Sequence, residues 1–385
     1  MAKYYGKRRK IYNVKDDSIE KIGNIELNKV LKPNINTNQQ YGSGKIPNYN
    51  GRNLNRSNIK LPHIKAVEEY VLKSIIAQDE HVKRIITAIY RGKKFKSIKS
   101  NILIIGSSGT GKTATVVEIA KRLNLPYTIE DATKYTKEGY YGADVNEMIY
   151  NLLDNADQNV ELAQRGIIII DEIDKKASHG ENDVSGAEVL KSLLKIIEGT
   201  TVKVPSNDMF EDTAIEFDTT NLIIIFCGAF SGLEKIRDKR LNKHSLGFSD
   251  SEKEEKKEES KYLKEDLVKY GMPEEFVGRI DTIVEMNKLT KTDLAKILRK
   301  SRLSIFRRYQ TELKNEGISL EYDGKLFELI AEESLALDTG ARELSNTVNR
   351  IFENISYNIF SNPKRYTKCK LHLDIVKDNT KNELS

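Results

Sequence analysis

The chain carries a candidate phosphate-binding loop at residues 106–113, which read GSSGTGKT. Glycines let such a backbone curl until several N–H groups face a β-phosphate, and a helix that begins near Lys112 adds its positive end. Lys112 supplies charge to the β- and γ-phosphates, and Thr113 offers a hydroxyl to Mg²⁺. The stretch therefore predicts that the chain binds ATP with Mg²⁺. The predicted nucleotide contacts are Gly106, Ser107, Ser108, Gly109, Thr110, Gly111, Lys112 and Thr113.

A second motif, GIIIIDEID, ends an apolar run with two carboxylates, Asp171 and Glu172. Two charges at the end of a buried strand are costly unless they meet a cation or polar partners. We expect Asp171 to hold Mg²⁺ through water and Glu172 to polarise the water that attacks the γ-phosphate. An acidic helix cap is the alternative, but it does not explain why the pair follows a phosphate loop.

Two arginines are candidates for stabilising the transferred phosphoryl group, whose oxygens need positive charge. Arg279 closes the segment MPEEFVGRID, and Arg342 lies in TGARELSNTV at the start of a predicted helix. Taken alone, each would be an ordinary surface arginine.

The elements around these residues predict an α/β fold with a doubly wound parallel sheet. Short aliphatic runs, ILII, IIII at 167–170 and LIIIF at 222–226, alternate with helical segments. Only a parallel sheet covered by helices buries both faces of its strands. Amphipathic helices at 290–315, 324–337 and 341–360, with strands at ISLEY and KLHLDIV, predict a smaller α+β, mainly helical, C-terminal domain.

Composition divides the chain further. Residues 1–60 hold 13 Lys and Arg against 4 Asp and Glu, which gives this segment a net charge of +9. The whole chain carries +6, so the remaining residues together carry −3. We interpret them as a basic, largely disordered arm, followed by a large domain at 61–288 and a small domain at 289–385. A low-complexity insertion occupies 251–265. Two distant cysteines and the lack of a signal or membrane segment favour a soluble cytoplasmic protein.

Several motifs, in order, resemble the ClpX and HslU branch of the AAA+ ATPases over residues 61–377. They are IIAQDEHVK, GSSGTGKT, DATKYTKEGYYGADV, GIIIIDEIDK, DVSGAEVLKSLLKIIEGT, CGAFSGLEKI, YGMPEEFVGRID and TGAREL. The resemblance implies a homo-hexameric, ATP-driven unfoldase that threads protein substrates through a pore. It makes Arg279 a finger reaching the neighbouring subunit's nucleotide and Arg342 a sensor within its own subunit. It also places Ile76 at the nucleotide and Cys227 near the γ-phosphate.

The resemblance extends to two loops that would handle protein. In EGYYGAD, Tyr140 and Tyr141 match the aromatic pore loop, whose ring grips a threaded chain. In HSLGFSD, the residues Leu246, Gly247 and Phe248 resemble the loop that docks on a ClpP-like peptidase, which favours the ClpX side of the branch. A Tyr-Gly turn packed on a core and an ordinary helix end are the plainer interpretations of these two stretches.

Some family features are missing from the sequence. No cysteine precedes Cys227, so the four-cysteine zinc domain of ClpX is not expected, and the basic Arg-Lys-His loop expected after EGTT is absent. The short second pore loop holds His179, to which we assign no role. A different class of function is a remodeller or loader of nucleic-acid-bound complexes that uses the basic arm. Such binding would weaken steeply with salt, and no DNA-binding motif supports it.

Overall fold

A computed structural model describes residues 61–95, 98–135, 145–178, 184–205, 214–244, 261–336, 340–362, 364–378 and 382–384. The helices there are α1 (Ile64–Leu72), α2 (Asp79–Lys94), α3 (Lys112–Leu123), α4 (Val145–Asn155), α5 (Val160–Ala163), α6 (Val184–Glu198), α7 (Leu233–His244), α8 (Lys264–Tyr270), α9 (Glu274–Gly278), α10 (Lys291–Lys300), α11 (Ile305–Asn315), α12 (Leu326–Ala336) and α13 (Ala341–Ser361). The strands are β1 (Ile102–Ile105), β2 (Tyr127–Asp131), β3 (Ile167–Asp171), β4 (Thr201–Pro205), β5 (Ala214–Asp218), β6 (Ile223–Gly228), β7 (Thr282–Glu285), β8 (Ser319–Tyr322), β9 (Lys368–Leu371) and β10 (Asn382–Leu384). None of these helices has the length and apolar character of a membrane span.

The large domain is built on a five-stranded sheet in the order β2-β3-β6-β1-β7. All four neighbouring pairs are parallel, so the carboxyl ends of the strands meet along one edge. Strands β1, β3 and β6 are almost wholly aliphatic because both of their faces are covered. The prediction of a doubly wound parallel sheet is confirmed.

Two apolar layers enclose this sheet. Alternate residues of the central strands face one layer with helices α4 and α6, and their neighbours face the other with α1, α2 and α3. The alternation follows from the two-residue period of a strand. The first set includes Leu103, Ile105, Ile168, Ile170, Ile224 and Phe226, and the second includes Ile102, Ile104, Ile167, Ile169, Ile223 and Ile225.

The C-terminal domain has a core of its own, formed by α10 to α13 against a small sheet in the order β10-β9-β8. Its aromatic centre is Phe306, fully buried and in edge contact with three other rings. The predicted helix at 290–315 is in fact two helices, because Ser304 caps α11 by accepting from the N–H of Arg307. In KLHLDIV the strand ends at Leu371, and a 3₁₀ turn follows at Leu373–Val376.

An ion pair in the interior joins helices α7 and α8. Arg240 donates from Nε and Nη2 to the two carboxylate oxygens of Asp266, both at 3.0 Å. The Asp266 side chain is fully buried, and it also accepts from the N–H of Leu263 at 2.9 Å. Since a buried charge that loses its partner is strongly unfavourable, this pair fixes how the two helices meet.

Replacing Asp266 by alanine should therefore lower the free energy of unfolding by about 3–5 kcal/mol, because Arg240 would be left without its buried partner. Urea denaturation followed by circular dichroism measures the change. The matched control is Asp238→Ala, which removes an exposed partner of Arg237 on the same helix and should cost at most about 0.5 kcal/mol. Equal losses in the two variants would contradict a structural role for the pair.

Candidate active site

The phosphate-binding loop joins the end of β1 to the start of α3. Lys112 Nζ donates to the carbonyl oxygens of Gly106 at 2.6 Å and Ser107 at 3.0 Å, so its ammonium group lies against the loop. Thr110 is buried and donates from Oγ1 to the Ser107 carbonyl at 2.9 Å. Gly111 has a φ of 94°, and a Cβ built on it would meet nothing within 4 Å. The loop thus combines a left-handed turn, open space and a helix N-terminus, which suits a phosphate.

The acidic pair meets this loop at the end of β3. Thr113 Oγ1 donates to Asp171 Oδ2 at 2.8 Å, so the two predicted magnesium ligands are in direct contact. Hydroxyl and carboxylate oxygens are the donors that Mg²⁺ prefers, and the pair therefore fits that ion. Glu172 follows with a left-handed backbone, φ 57°, and its N–H donates to Asp171 Oδ1 at 2.9 Å. Its side chain is exposed.

Sequence reasoning missed a third carboxylate at this edge, that of Asp131. It is the register partner of Asp171 across β2 and β3. Although Glu172 is exposed to solvent overall, partial desolvation of its carboxyl raises its pKa, the charges of Asp131 and Asp171 raise it further, and Lys175 opposes them. A carboxylate whose pKa is raised is a better proton acceptor. The only signal in the sequence was the place of Asp131 at the end of the strand-like run YTIED.

A buried carboxylate, Asp174, ties the acidic segment to the end of β6. It accepts from the backbone N–H groups of Ala229 at 3.3 Å and Phe230 at 3.2 Å. Cys227, on the same strand, is fully buried. Burial raises the pKa of its thiol well above the usual value, the charge of Asp171 adds to the rise, and that of Lys112 opposes it. The thiol therefore stays protonated at neutral pH.

The segment before α2 reaches the loop through Gln78, which sequence reasoning also missed. Its Nε2 donates to the carbonyl oxygens of Asn287 at 2.8 Å and Thr110 at 3.4 Å, and its Oε1 accepts from the N–H of Asn287 at 3.0 Å. Gln78 thus joins the phosphate loop to the connection between the two domains. The half-buried Ile76 lies two residues earlier. The sequence separation of 209 residues from Gln78 to Asn287 explains why no local pattern signals the contact.

The C-terminal domain contributes the start of α13 to the same place. The N–H of Ala341 donates to the carbonyl oxygen of Gly109 at 3.3 Å. A Cβ on Gly340 would lie 2.8 Å from the carbonyl oxygen of Ser108, so the two backbones are in close contact. Arg342 lies in the first turn of this helix and is exposed. The structure thus brings the helix that carries Arg342 onto the phosphate loop.

Arg279 lies near the start of strand β1, at the end opposite to the phosphate loop. Its carbonyl oxygen accepts from Nδ2 of Asn101 at 3.0 Å, and Asn101 immediately precedes the strand whose other end leads to Gly106. Four strand residues span about 13 Å. The side chain is 55% exposed and pairs with Glu198 at 2.6 Å. The structure therefore does not bring Arg279 to the phosphate loop of its own chain.

Several predicted site residues lie outside the described residues. They are Tyr140 and Tyr141 of the predicted pore loop, His179 of the second loop, and Leu246, Gly247 and Phe248 of the predicted docking loop.

The residues just before 136–144 are held by a buried carboxylate, Glu130. It accepts from the Tyr135 hydroxyl at 2.6 Å and from Nδ2 of Asn151 at 3.1 Å. Burial and this hydrogen bond raise the pKa of Tyr135, so its hydroxyl stays a donor. Lys176, in the turn after the acidic pair, donates from Nζ to the Tyr135 carbonyl at 2.9 Å. A direct contact therefore links the segment after β3 to the base of residues 136–144.

Comparison with known proteins gives two family models that match consecutive parts of the chain. Residues 97–283 match an AAA domain of the Cdc48 subfamily. Residues 289–362 match the C-terminal, D2-small domain of the ClpB protein.

Curated relatives resemble this chain over most of its length and over most of their own. One from Borrelia duttonii (strain Ly) is 39% identical over 322 residues, which cover 78% of this chain and 75% of the relative. One from Bacteroides thetaiotaomicron is 34% identical over 340 residues, or 83% and 82% of the two chains. One from Bacteroides fragilis is 33% identical over 364 residues, or 89% and 86%. Each is named ATP-dependent Clp protease ATP-binding subunit ClpX.

Gly340 lies so close to the phosphate loop that a larger residue there should weaken nucleotide binding. Gly340→Ala would place a Cβ 2.8 Å from the Ser108 carbonyl at a φ of 59°, and a strained backbone costs about 1–3 kcal/mol. We expect ADP affinity, measured by isothermal titration calorimetry, to fall about tenfold. The control is Gly324→Ala, whose Cβ would meet nothing within 4 Å. Equal affinities in the two variants would show that this contact does not affect the site.

Proposed function

The chain belongs to the ClpX family of AAA+ ATPases, and from that premise we propose that it unfolds proteins by threading them through the pore of a hexameric ring. As a member of this family it is an ATPase and binds nucleotide. The observation that carries the proposal is a meeting of three elements at one point. The phosphate loop, the acidic end of β3 and the first turn of α13 are joined by Thr113–Asp171 and Ala341–Gly109 contacts of 2.8 and 3.3 Å.

In the proposed reaction each polar group at this point has a separate task. The backbone of residues 106–111 and Lys112 bind the β- and γ-phosphates. Ile76 contacts the adenine ring of the nucleotide. Thr113 and Asp171 hold Mg²⁺, which neutralises charge on the phosphates when bound. Glu172 takes a proton from the attacking water, a role that its raised pKa favours.

We propose that the two arginines work from different subunits. Arg342 lies on the helix that touches this chain's phosphate loop, so it is suited to sense the nucleotide of its own subunit. Arg279 lies at the far end of β1, so it is suited to reach the γ-phosphate of a neighbouring copy. An arginine that enters a nucleotide site from outside stabilises the charge that develops on the transferred phosphoryl group. Hydrolysis would then require a ring.

The proposed division of labour follows the chain. Residues 61–288 form the ATPase domain, with 251–265 as an insertion, and residues 289–385 form the domain that moves against it. Residues 1–60, which lie outside the described residues, form a separate basic segment with a net charge of +9. Tyr140 and Tyr141 grip the substrate, and the Lys176–Tyr135 contact supports this because it joins the acidic segment to the base of that loop. Leu246, Gly247 and Phe248 dock on a ClpP-like peptidase, as the relatives' name as protease subunits suggests.

The same premise makes the cytoplasm the proposed location, in keeping with two cysteines that are both free and buried. The relatives compared are all named ClpX, so nothing in them favours a loader of nucleic-acid-bound complexes.

The threading proposal is tested by Tyr140→Ala. We expect ATP hydrolysis to persist while the unfolding of a fluorescent protein with an unstructured tail is lost, because the substrate is no longer gripped. Tyr357→Ala is the matched control, since that tyrosine is 72% exposed on α13 and should leave both activities unchanged. Unfolding at the full rate by Tyr140→Ala would refute the assignment of Tyr140. A Glu172→Gln variant that retains substrate in the presence of ATP would support the threading proposal independently.

The rate of ATP hydrolysis should depend on pH through Glu172. The proposed base must be deprotonated, so kcat/KM for ATP should fall as the pH drops through the pKa of Glu172, above the ordinary glutamate value of about 4.3. Asp131→Asn removes a charge that raises this pKa and should move the acidic limb of the profile to lower pH. Asp157→Asn, at an exposed position, is the control. A limb that Asp131→Asn leaves in place would contradict the role of Glu172 as the base.

A further inference from the structure

The C-terminal domain touches the ATPase domain at a second place, the break between α10 and α11. The N–H of Arg302 donates to the carbonyl oxygen of Lys73 at 2.9 Å. The hydroxyl of Ser301 donates to the carbonyl oxygen of Ser74 at 2.5 Å. Both Ser74 and Ser301 are buried. The break that divides the predicted helix at 290–315 therefore seats one domain on the segment after α1.

The guanidinium of Arg302 makes further hydrogen bonds at this contact, next to Leu303, which packs against the core of the ATPase domain. Its Nη2 donates to the carbonyl oxygen of Tyr70 at 2.7 Å and to Oγ of Ser74 at 3.1 Å, and its Nε lies 3.3 Å from the same hydroxyl. Its carbon Cζ lies 4.0 Å from the centre of the Tyr70 ring. A planar guanidinium can donate and stack at once, which a lysine cannot do.

The contact continues into helix α3 through Glu118. Oε2 of Glu118 accepts from the Ser74 hydroxyl at 2.7 Å and lies 3.6 Å from Nη2 of Arg302. Only 5% of the Glu118 side chain is exposed. Lys121, on the same helix, lies 3.5 Å from the other carboxylate oxygen. A carboxylate this deeply buried needs such partners, and two of them come from outside α3.

Helix α3 is also the helix that begins with Lys112 and Thr113. Glu118 lies five residues after Thr113, about 7.5 Å along the axis. A helix this short behaves as one rigid element. A displacement of the phosphate-binding end of α3 therefore also displaces Glu118. A displacement of Glu118 likewise moves the phosphate-binding end.

We propose that Arg302 is a positioning residue for the nucleotide site. Together with Tyr70, Ser74 and Glu118 it forms a latch that holds the C-terminal domain against the ATPase domain and keeps α3 in position to bind nucleotide. The proposal rests on the proposed function only in taking residues 106–113 as the nucleotide site. Since coupling between two events is reciprocal, engagement of the latch raises nucleotide affinity, and bound nucleotide favours the engaged latch.

The latch differs from an ordinary surface ion pair of the same domain. Arg299, three residues earlier, pairs with Glu328 at 2.7 Å and stacks on Phe327, so its contacts stay within the C-terminal domain. Arg299 and Arg302 are similarly exposed, at 42% and 37%. Arg299→Gln is therefore a matched control, since it removes an equivalent arginine but no contact between domains.

The first test is the affinity of the full-length protein for ADP, measured by calorimetry. Arg302→Gln should weaken binding roughly five- to tenfold, within the usual range of coupling between sites, whereas Arg299→Gln should not. Glu118→Gln should weaken it as well, and the double variant should be little worse than either single one, because both act through one contact. Full additivity, or a loss below about twofold in Arg302→Gln, would overturn the proposal.

The second test measures the arrangement of the domains, which a merely stabilising residue would not change. Spin labels on Asp154→Cys and Glu312→Cys, both exposed positions, report an interdomain distance while both native cysteines are buried. Doubly labelled chains are diluted into unlabelled ones. Arg302→Gln should broaden the distance distribution without ADP, and ADP should narrow it. An unchanged distribution would refute the latch.

Neither readout requires a ring, a substrate or a peptidase. The latch can therefore fail while threading is upheld, and threading can fail while the latch is upheld.

Discussion

The contact between the Thr113 hydroxyl and the Asp171 carboxylate depends on the register of three parallel strands. Strands β1 and β3 are not neighbours, since β6 lies between them. Ile104 of β1 and Ile169 of β3 pair with Cys227 and Ile225 of β6, which aligns the carboxyl ends of all three. If one of these strands slipped by one residue against its neighbour, its carboxyl end would move by about 3.3 Å and its side chains would turn to the other face of the sheet. The site is therefore a property of the whole sheet.

Much of the large domain could be predicted from the sequence because its strands are buried on both faces. Such strands read as unbroken aliphatic runs, and the loop and acidic pair directly follow two of them. The contacts that complete the site could not be predicted in this way. Gln78 and Asn287 are 209 residues apart, and Asp131 joins Asp171 only through the pairing of β2 with β3. Contacts of this kind have no local pattern.

In the C-terminal domain, too, the sequence pattern predicted only part of the structure. The helical period between 290 and 315 continues across the break at Ser301–Ser304 because the apolar residues of α10 and α11 pack into one core. A capping serine is a weak signal by itself. The break nevertheless determines where Arg302 and Ser301 meet the ATPase domain. Hydrogen bonds make the junctions at Gly109 and Gln78 and contribute to the junction at Ser74, where Arg302 also stacks on Tyr70 and Leu303 packs against the core of the ATPase domain. Junctions between domains that are largely polar separate more readily than apolar ones.

The Arg240–Asp266 pair has a consequence for how this family of chains diverges. Arg240 and Asp266 lie on either side of residues 245–260, so the packing of α7 on α8 depends on side chains outside that stretch. A change of either residue alone would leave a buried charge without its partner. The two positions should therefore covary among related chains, and an exchange of both together should be tolerated where an exchange of one is not.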